Sequence, residues 1–240
     1  MGNFVPLDFA EHRLLRLLAS HGVSFGDGLG MVGVVPTEIP ALVNCYPLFF
    51  RVSPLTGGFE LGAMLGFEAE ENLFLAGEGW DAAYVPLARR CEPFAVQPSP
   101  THPDRNTLMI DLDSPRLTRA GDDVLFFSDG RPSERLQGII DALEALVKGA
   151  QQASAYAAML DSLGLIEPVT VRVDLGGGLS YNPTGLFSIA EARLAQLPAA
   201  TLANLRDQGF LGWVYQQAAS VGQIGNLISR KNRARAGHVG

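Results

Sequence analysis

The sequence predicts an α+β fold, with antiparallel β hairpins and sheet in the first half and a helical C-terminal half around one further hairpin. Three observations carry this. Two apolar, β-rich runs, Tyr46 to Val52 and Phe59 to Leu65, flank the turn-forming Ser53-Pro54-Leu55-Thr56-Gly57-Gly58, the pattern of a hairpin with a long loop. After Pro132 the apolar period becomes helical, with Leu136, Ile139, Ile140, Leu143 and Leu146 at three- and four-residue steps. Val169 to Leu175 then alternates strictly before Gly176-Gly177-Gly178 turns the chain back toward Phe187.

The other elements are read from local chemistry. Leu14, Leu15, Leu17 and Leu18 among His12, Arg13 and Arg16 predict an amphipathic helix over Leu7 to Ala19. Gly22, Gly26, Gly28, Gly30 and Gly33 predict turns or a mobile arm. A phosphate-cradling loop is disfavoured there, because it would need a strand before it and a helix after it. Glu68, Glu70 and Glu71 form an acidic edge before a short strand, Asn72 to Leu75. Pro86 opens a helical turn through Arg90, at a position where no amide donor is needed. Glu92 to Val96 is extended, and Gln97 to Arg105, with Pro98, Pro100 and Pro103, is a loop. The strand through Leu108, Met109 and Ile110 follows, then the short apolar Val124 to Phe127 and a turn at Ser128 to Arg131.

In the second half Ser133 caps one helix. A second, Gln152 to Leu163, ends at Gly164. Ser188-Ile189-Ala190-Glu191 fits a capping box for a short helix to Leu197. Pro198 starts another that ends at Gln208-Gly209, and Phe210 to Ser229 is the last. The basic Arg230 to Arg235 run reads as a frayed, solvated tail.

The chain has 240 residues, 47% of them hydrophobic, and a mean hydropathy of +0.15. That suffices to bury a core without disulfide or metal. A single domain over 1–240 is expected, with a sub-lobe boundary near 130–133. A net charge of −7 disfavours nucleic acid as a partner. Cys45 and Cys91 stand far apart with no CxxC, so both read as small buried hydrophobes. No run approaches the ~20 uncharged apolar residues of a membrane span. Charges interrupt the first twenty residues, so no secretory signal is expected. The expectation is a cytoplasmic protein, with export by a route lacking an N-terminal signal left open.

Two constellations could carry chemistry. The strand at Leu108 ends in Asp111-Leu112-Asp113-Ser114-Pro115-Arg116. Alternate aspartates on a strand face one side and could hold a divalent cation or share a proton. The plainer and favoured reading is a clasp, in which Asp111 and Asp113 cap a turn and pair with Arg116 through the guanidinium fork. Trp80, Asp81, Tyr84, Arg89 and Arg90 form the second set, in which aromatic plates beside guanidinium groups suit an aromatic or anionic ligand. Against this stands a core Trp and Tyr with a solvated Arg pair. The histidines, His12, His21, His102 and His238, are scattered with no HxxxH or HxE pattern, so no metal and no cofactor is expected. No GxSxG marks a nucleophile, and no catalytic residue is assigned.

The order and spacing of several motifs resemble the SapC family, a bacterial family whose namesake belongs to surface-layer protein gene clusters. They are Glu71-Asn72-Leu73-Phe74, Trp80-Asp81-Ala82-Ala83-Tyr84-Val85-Pro86, Arg89-Arg90 before Pro93-Phe94-Ala95, Ile110 to Arg116, Leu165-Ile166-Glu167-Pro168, Gly185-Leu186-Phe187 and Ala219-Ser220-Val221-Gly222-Gln223. The resemblance implies an accessory role and a protein partner, in surface-layer assembly or beside a substrate-modifying enzyme. The expected function is thus a non-catalytic accessory or interaction protein. The alternative is a small-molecule-binding protein or enzyme with a cleft lined by Trp80, Tyr84, Arg90, Asp111, Asp113 and Arg116.

Overall fold

The computed structural model describes residues 2–77, 79–98, 106–121, 123–176 and 178–237. The expected loop over 99–105, with His102, and the positions of Gly177 and His238 lie outside the described residues.

β1 (Phe4–Pro6) leads into α1 (Phe9–His12), where the Asp8 carboxylate accepts from the Glu11 amide at 3.2 Å. The helix expected over Leu7 to Ala19 is reduced to this turn. Its second half becomes β2 (Arg16–Leu17), paired with Leu117 and Thr118. Backbone pairing to a distant segment outweighs the small per-residue helix preference of leucine. The glycine-rich stretch holds a 3-10 turn, Val23–Phe25, closed by Gly26 at φ 78, and then β3 (Met31–Gly33). After α2 (Ile39–Leu42), β4 (Leu48–Val52) and β5 (Phe59–Met64) form the predicted hairpin, in register from Leu48↔Ala63 to Val52↔Phe59.

Of the expected Asn72 to Leu75 strand only the last residue is extended, in β6 (Leu75–Ala76), which pairs with β7 (Gly79–Trp80). Asn72 Oδ1 accepts from the Phe74 amide at 2.9 Å, a local turn that competes with a ladder. Pro86 precedes α3 (Leu87–Arg90). β8 (Phe94–Pro98) pairs with β9 (Asn106–Asp111) and draws Gln97 and Pro98 out of the expected loop. β8 is an edge strand, where a proline is tolerated. β10 (Leu117–Thr118) follows, and Val124 to Phe127 makes only isolated bridges, Arg16↔Val124 and Phe126↔Pro132.

The two helices expected after Ser133 are one, α4 (Glu134–Ser162). Ser133 Oγ accepts from the Leu136 amide at 3.2 Å, and Gly164 at φ 61 follows the end. Gly149 does not break this helix. A Cβ there would come within 2.5 Å of Val35 Cγ2, so the glycine allows close approach. The next hairpin is shorter than its alternation suggests. β11 (Ile166–Pro168) and β12 (Val173–Asp174) are its outgoing strands, and β13 (Ser180–Tyr181) and β14 (Phe187–Ile189) the returning ones. Pro168 ends the first ladder because it cannot donate.

Ser188 lies inside β14, so no capping box forms, and α5 (Glu191–Leu194) starts from Ala190 without a side-chain cap. α6 (Ala199–Asp207) ends near Gly209 as predicted. The expected Phe210 to Ser229 helix divides into α7 (Leu211–Ser220), a 3-10 turn at Val221–Gln223, and α8 (Ile224–Gly237). Ser220 marks the break. Its hydroxyl donates to Gln217 O at 2.6 Å and accepts from the Leu48 amide at 3.0 Å, and such back-bonding bends helices.

The chain forms two compact units: Met1–Asp27, Leu75–Trp80 and Leu87–Val147, then Gly28–Phe74, Asp81–Pro86 and Lys148–Gly240. The first is built on the antiparallel sheet β1-β9-β8, with Phe94, Met109, Ile110, Leu125 and Leu136 buried. The second is built on the antiparallel sheet β11-β14-β4-β5-β3. Phe50 of β4 lies 6.1 Å from the Tyr156 ring, which Phe210 meets edge-on at 5.4 Å. Both elements and core fit the predicted α+β class. Among the described residues no helix is long and apolar enough to cross a membrane.

Candidate functional site

The densest polar cluster lies in the first unit and centres on Asp27, which has no exposed surface. The Gly22 to Asp27 turn brings the Gly22 amide to Asp27 Oδ2 at 3.0 Å and His21 Nδ1 to the same oxygen at 3.2 Å. α3 supplies Arg89, whose Nε donates to Oδ1 at 3.0 Å. The turn between β9 and β10 supplies Arg116, whose Nη2 donates to Oδ2 at 2.6 Å and whose Nη1 donates to Ser20 O at 2.6 Å. Both terminal nitrogens of Arg89 donate to Glu92, and Arg116 Nε lies 3.9 Å from it. Two carboxylates thus face two guanidiniums. The Phe25 ring lies 5.3 Å from the Arg116 guanidinium, and Trp80 meets the His21 ring edge-on at 5.4 Å.

Burial by itself would raise the Asp27 carboxyl. The His21 ring, the Gly22 amide and the two guanidiniums outweigh it and hold the pKa at about 2, below the ordinary 3.8. Burial pushes Glu92 upward against the pull of Arg89 and Arg116, with the Asp27 charge adding to the rise. The arrangement fixes an ionised aspartate and three surrounding segments in place. It leaves no Asp27 oxygen facing solvent.

The predicted aspartate clasp takes a different form. Asp111 is the last residue of β9 and Asp113 lies beyond it, so the two do not alternate along a strand. Asp111 Oδ1 accepts from the Asn3 amide at 2.7 Å and the Asp113 amide at 3.1 Å. It caps a turn, as expected, while Arg116 pairs with Asp27 and Glu92 instead. Asp113 is exposed. In the second constellation Trp80 is half-buried, Arg89 is buried in the Asp27 cluster, and Arg90 is exposed. Asp81 and Tyr84 belong to the second unit. There Arg230 Nη1 donates to Asp81 Oδ2 at 2.7 Å, and the Tyr84 hydroxyl donates to Glu38 Oε1 at 3.2 Å. Arg89 and Arg116, with Trp80 against the His21 ring, are the predicted residues that one site brings together.

Sequence reasoning missed Asp27, His21 and Glu92. The Arg89–Glu92 spacing of three residues across a helix end was a readable pair. Asp27 lay hidden between Gly26 and Gly28, which read as turn chemistry.

The SapC family profile matches residues 7–227. The chain belongs to the SapC family. Among curated proteins and solved structures, none matches it. The matched span takes in the whole Asp27 cluster of this SapC chain and only the start of α8, Ile224 to Leu227.

The second unit of the SapC chain has its own charge cluster. Lys231 Nζ donates to Glu68 Oε1 at 2.9 Å and, more closely, to Glu71 Oε1, and sits 4.7 Å from the Tyr181 ring. Burial opposes the lysine charge, but Glu71, Glu68 and Tyr181 together push its pKa up. Lys231 and Tyr181 hold the Glu68 carboxyl below its usual range. Arg230 lies over the Phe74 ring at 4.3 Å. The run expected to be a frayed tail is therefore helix, anchored through two cations whose carboxylate partners are far away in sequence. Cys45 and Cys91 are both buried. Among the described residues no three His, Cys, Asp or Glu side chains converge as a metal site requires.

Proposed function

We propose that this SapC-family chain is a non-catalytic accessory or interaction protein. It acts with a protein partner, in surface-layer assembly or beside a substrate-modifying enzyme, and works in the cytoplasm unless a route without an N-terminal signal exports it. The observation that carries this reading is the commitment of Asp27. Its two oxygens take four donors from within the first unit, and none of its surface reaches solvent. A general acid or base must reach the proton it moves. Asp111, one of the carboxylates singled out in the sequence, is likewise engaged by two backbone amides.

The test is to produce the tagged full chain in its native host at native level and measure the mass of what elutes, with its composition by mass spectrometry. The expected result is a complex heavier than the 25.7 kDa chain, with one other protein at near-equal amount in every replicate. Elution of the bare chain in every replicate overturns the reading.

A further inference from the structure

A cavity of about 350 Å³ opens on the second unit beside β3, β4 and β5, lined in part by Met31, Arg51, Met64, Phe67, Glu68 and Leu186. That volume lies at the small end of the range for ligand pockets. Most of these side chains are apolar, and the two thioethers can reshape around different contours. Met31 lies across the sheet because residue 62 is glycine: a Cβ there would come within 2.8 Å of Met31 Sδ.

The charges on this wall are unequally committed. Arg51 stands directly across from Glu60 in the β4–β5 ladder, yet among the described residues it makes no ion pair or side-chain hydrogen bond. Glu60 lines the cavities beside α4 instead. The other carboxylate of the wall, Glu68, is taken by Lys231 at 2.9 Å. An exposed guanidinium with no partner among the described residues, at the edge of a concavity with apolar side chains in its wall, matches a ligand with one acid group and a hydrocarbon body. A guanidinium forks a carboxylate through two parallel hydrogen bonds. A dianion is disfavoured, because Lys231 with Glu68 and Glu71 leaves one net negative charge on the adjoining wall.

We propose that this cavity binds a monoanionic amphiphile, a carboxylate on a short apolar chain or ring, with the acid group on Arg51 and the body against Met31, Met64, Phe67 and Leu186. At about 30 Å³ per heavy atom the cavity takes about twelve of them, which suits a medium-chain fatty acid. The site goes beyond the accessory reading and does not rest on it, since a chain can hold a ligand and a partner protein together.

Sodium octanoate is the probe, with octan-1-ol as the uncharged control, both titrated into the full-length chain by calorimetry. Octanoate should bind at least about tenfold more tightly than octanol, the worth of a charge-assisted hydrogen-bond pair. Arg51→Gln should abolish that difference. Arg135→Gln, at an exposed guanidinium on α4, should leave it unchanged. Thr184→Trp, at an exposed position of the lining, should block both probes while the thermal melt stays that of the parent. Absence of octanoate binding overturns the proposal. So does equal binding of octanol, or unchanged octanoate affinity in Arg51→Gln.

Discussion

Arg116 donates to Asp27 at 2.6 Å across 89 residues of chain, and both side chains are almost wholly withdrawn from water. Their meeting ties the Gly22 to Asp27 turn to the segment that leaves β9. The same guanidinium reaches Ser20 O, and Leu18 donates its amide to Arg116 O at 2.9 Å. A buried pair of this kind gives little net stability when formed, yet is costly to break from one side, because the surviving charge stays buried without its partner.

Asp27→Asn should therefore lower the unfolding free energy by about 3 kcal/mol, read from urea denaturation. Arg116→Met should cost a similar amount. The double variant should cost less than the two singles added, since neither charge is then stranded by loss of the other. Additive losses, or an unchanged urea midpoint in Asp27→Asn, would show that the pair does not hold this part of the fold.

The fold was legible where its causes are local. The β4–β5 hairpin follows from two apolar, β-rich runs and a glycine-bearing turn, and α6 from its proline start and glycine stop. It was illegible where distant backbone decided. Arg16 and Leu17 look helical until Leu117 and Thr118 offer a ladder, and Ser188 looks like a cap until β14 claims it. The site failed for the same reason. Asp111, Asp113 and Arg116 are neighbours in the chain, which invites a local clasp, but the carboxylate that takes Arg116 lies in another segment, between two glycines. Lys231 looked solvated because its acceptors, Glu68 and Glu71, stand 163 and 160 residues earlier.

Acid should unfold the first unit through Asp27. Its folded pKa, about 2, lies below the ordinary 3.8, so its contribution is complete above the unfolded value and is lost as pH falls from there toward 2. The loss is about 2 kcal/mol over that window. Glu92 runs the other way. Its raised pKa gives stability that is complete below 4.5 and lost as pH rises through the folded value. Urea midpoints taken from about pH 6 to about pH 2 should show the steep acid fall in the parent and in Glu92→Gln, and a shallower fall in Asp27→Asn. Parallel curves for parent and Asp27→Asn would contradict the assignment.

Two glycines three residues apart should behave differently. A Cβ on Gly30 would stand 2.0 Å from Glu68 O, a backbone atom with no freedom to swing aside, and the Gly30 amide already donates to Ala69 O at 2.8 Å. A Cβ on Gly33 would meet no heavy atom within 4 Å. Gly30→Ala should cost about 3 kcal/mol through overpacking. Gly33→Ala should stay within about 0.5 kcal/mol of the parent. Thermal melts of the two variants decide the matter, and equal shifts would count against the close approach at Gly30.

Lys231 should determine whether α8 stays docked. Its ammonium serves two carboxylates at once, and Glu71 also accepts from the Phe67 amide at 2.9 Å. Removing the cation thus disturbs the 66–71 segment as well as the helix. Lys231→Met keeps the length of the side chain and most of its apolar contact while deleting the charge. It should lower stability by about 2 kcal/mol, the usual worth of hydrogen bonds to a charged group. Hydrogen exchange should quicken at the amides of α8 and of residues 67–71. Arg233→Met, at an exposed position on the same helix, removes a charge of the same sign without those partners. It should leave both measurements within about 0.5 kcal/mol of the parent. The contrast separates a specific anchor from a general need for positive charge on the last helix: equal effects of the two substitutions would rule out the anchor.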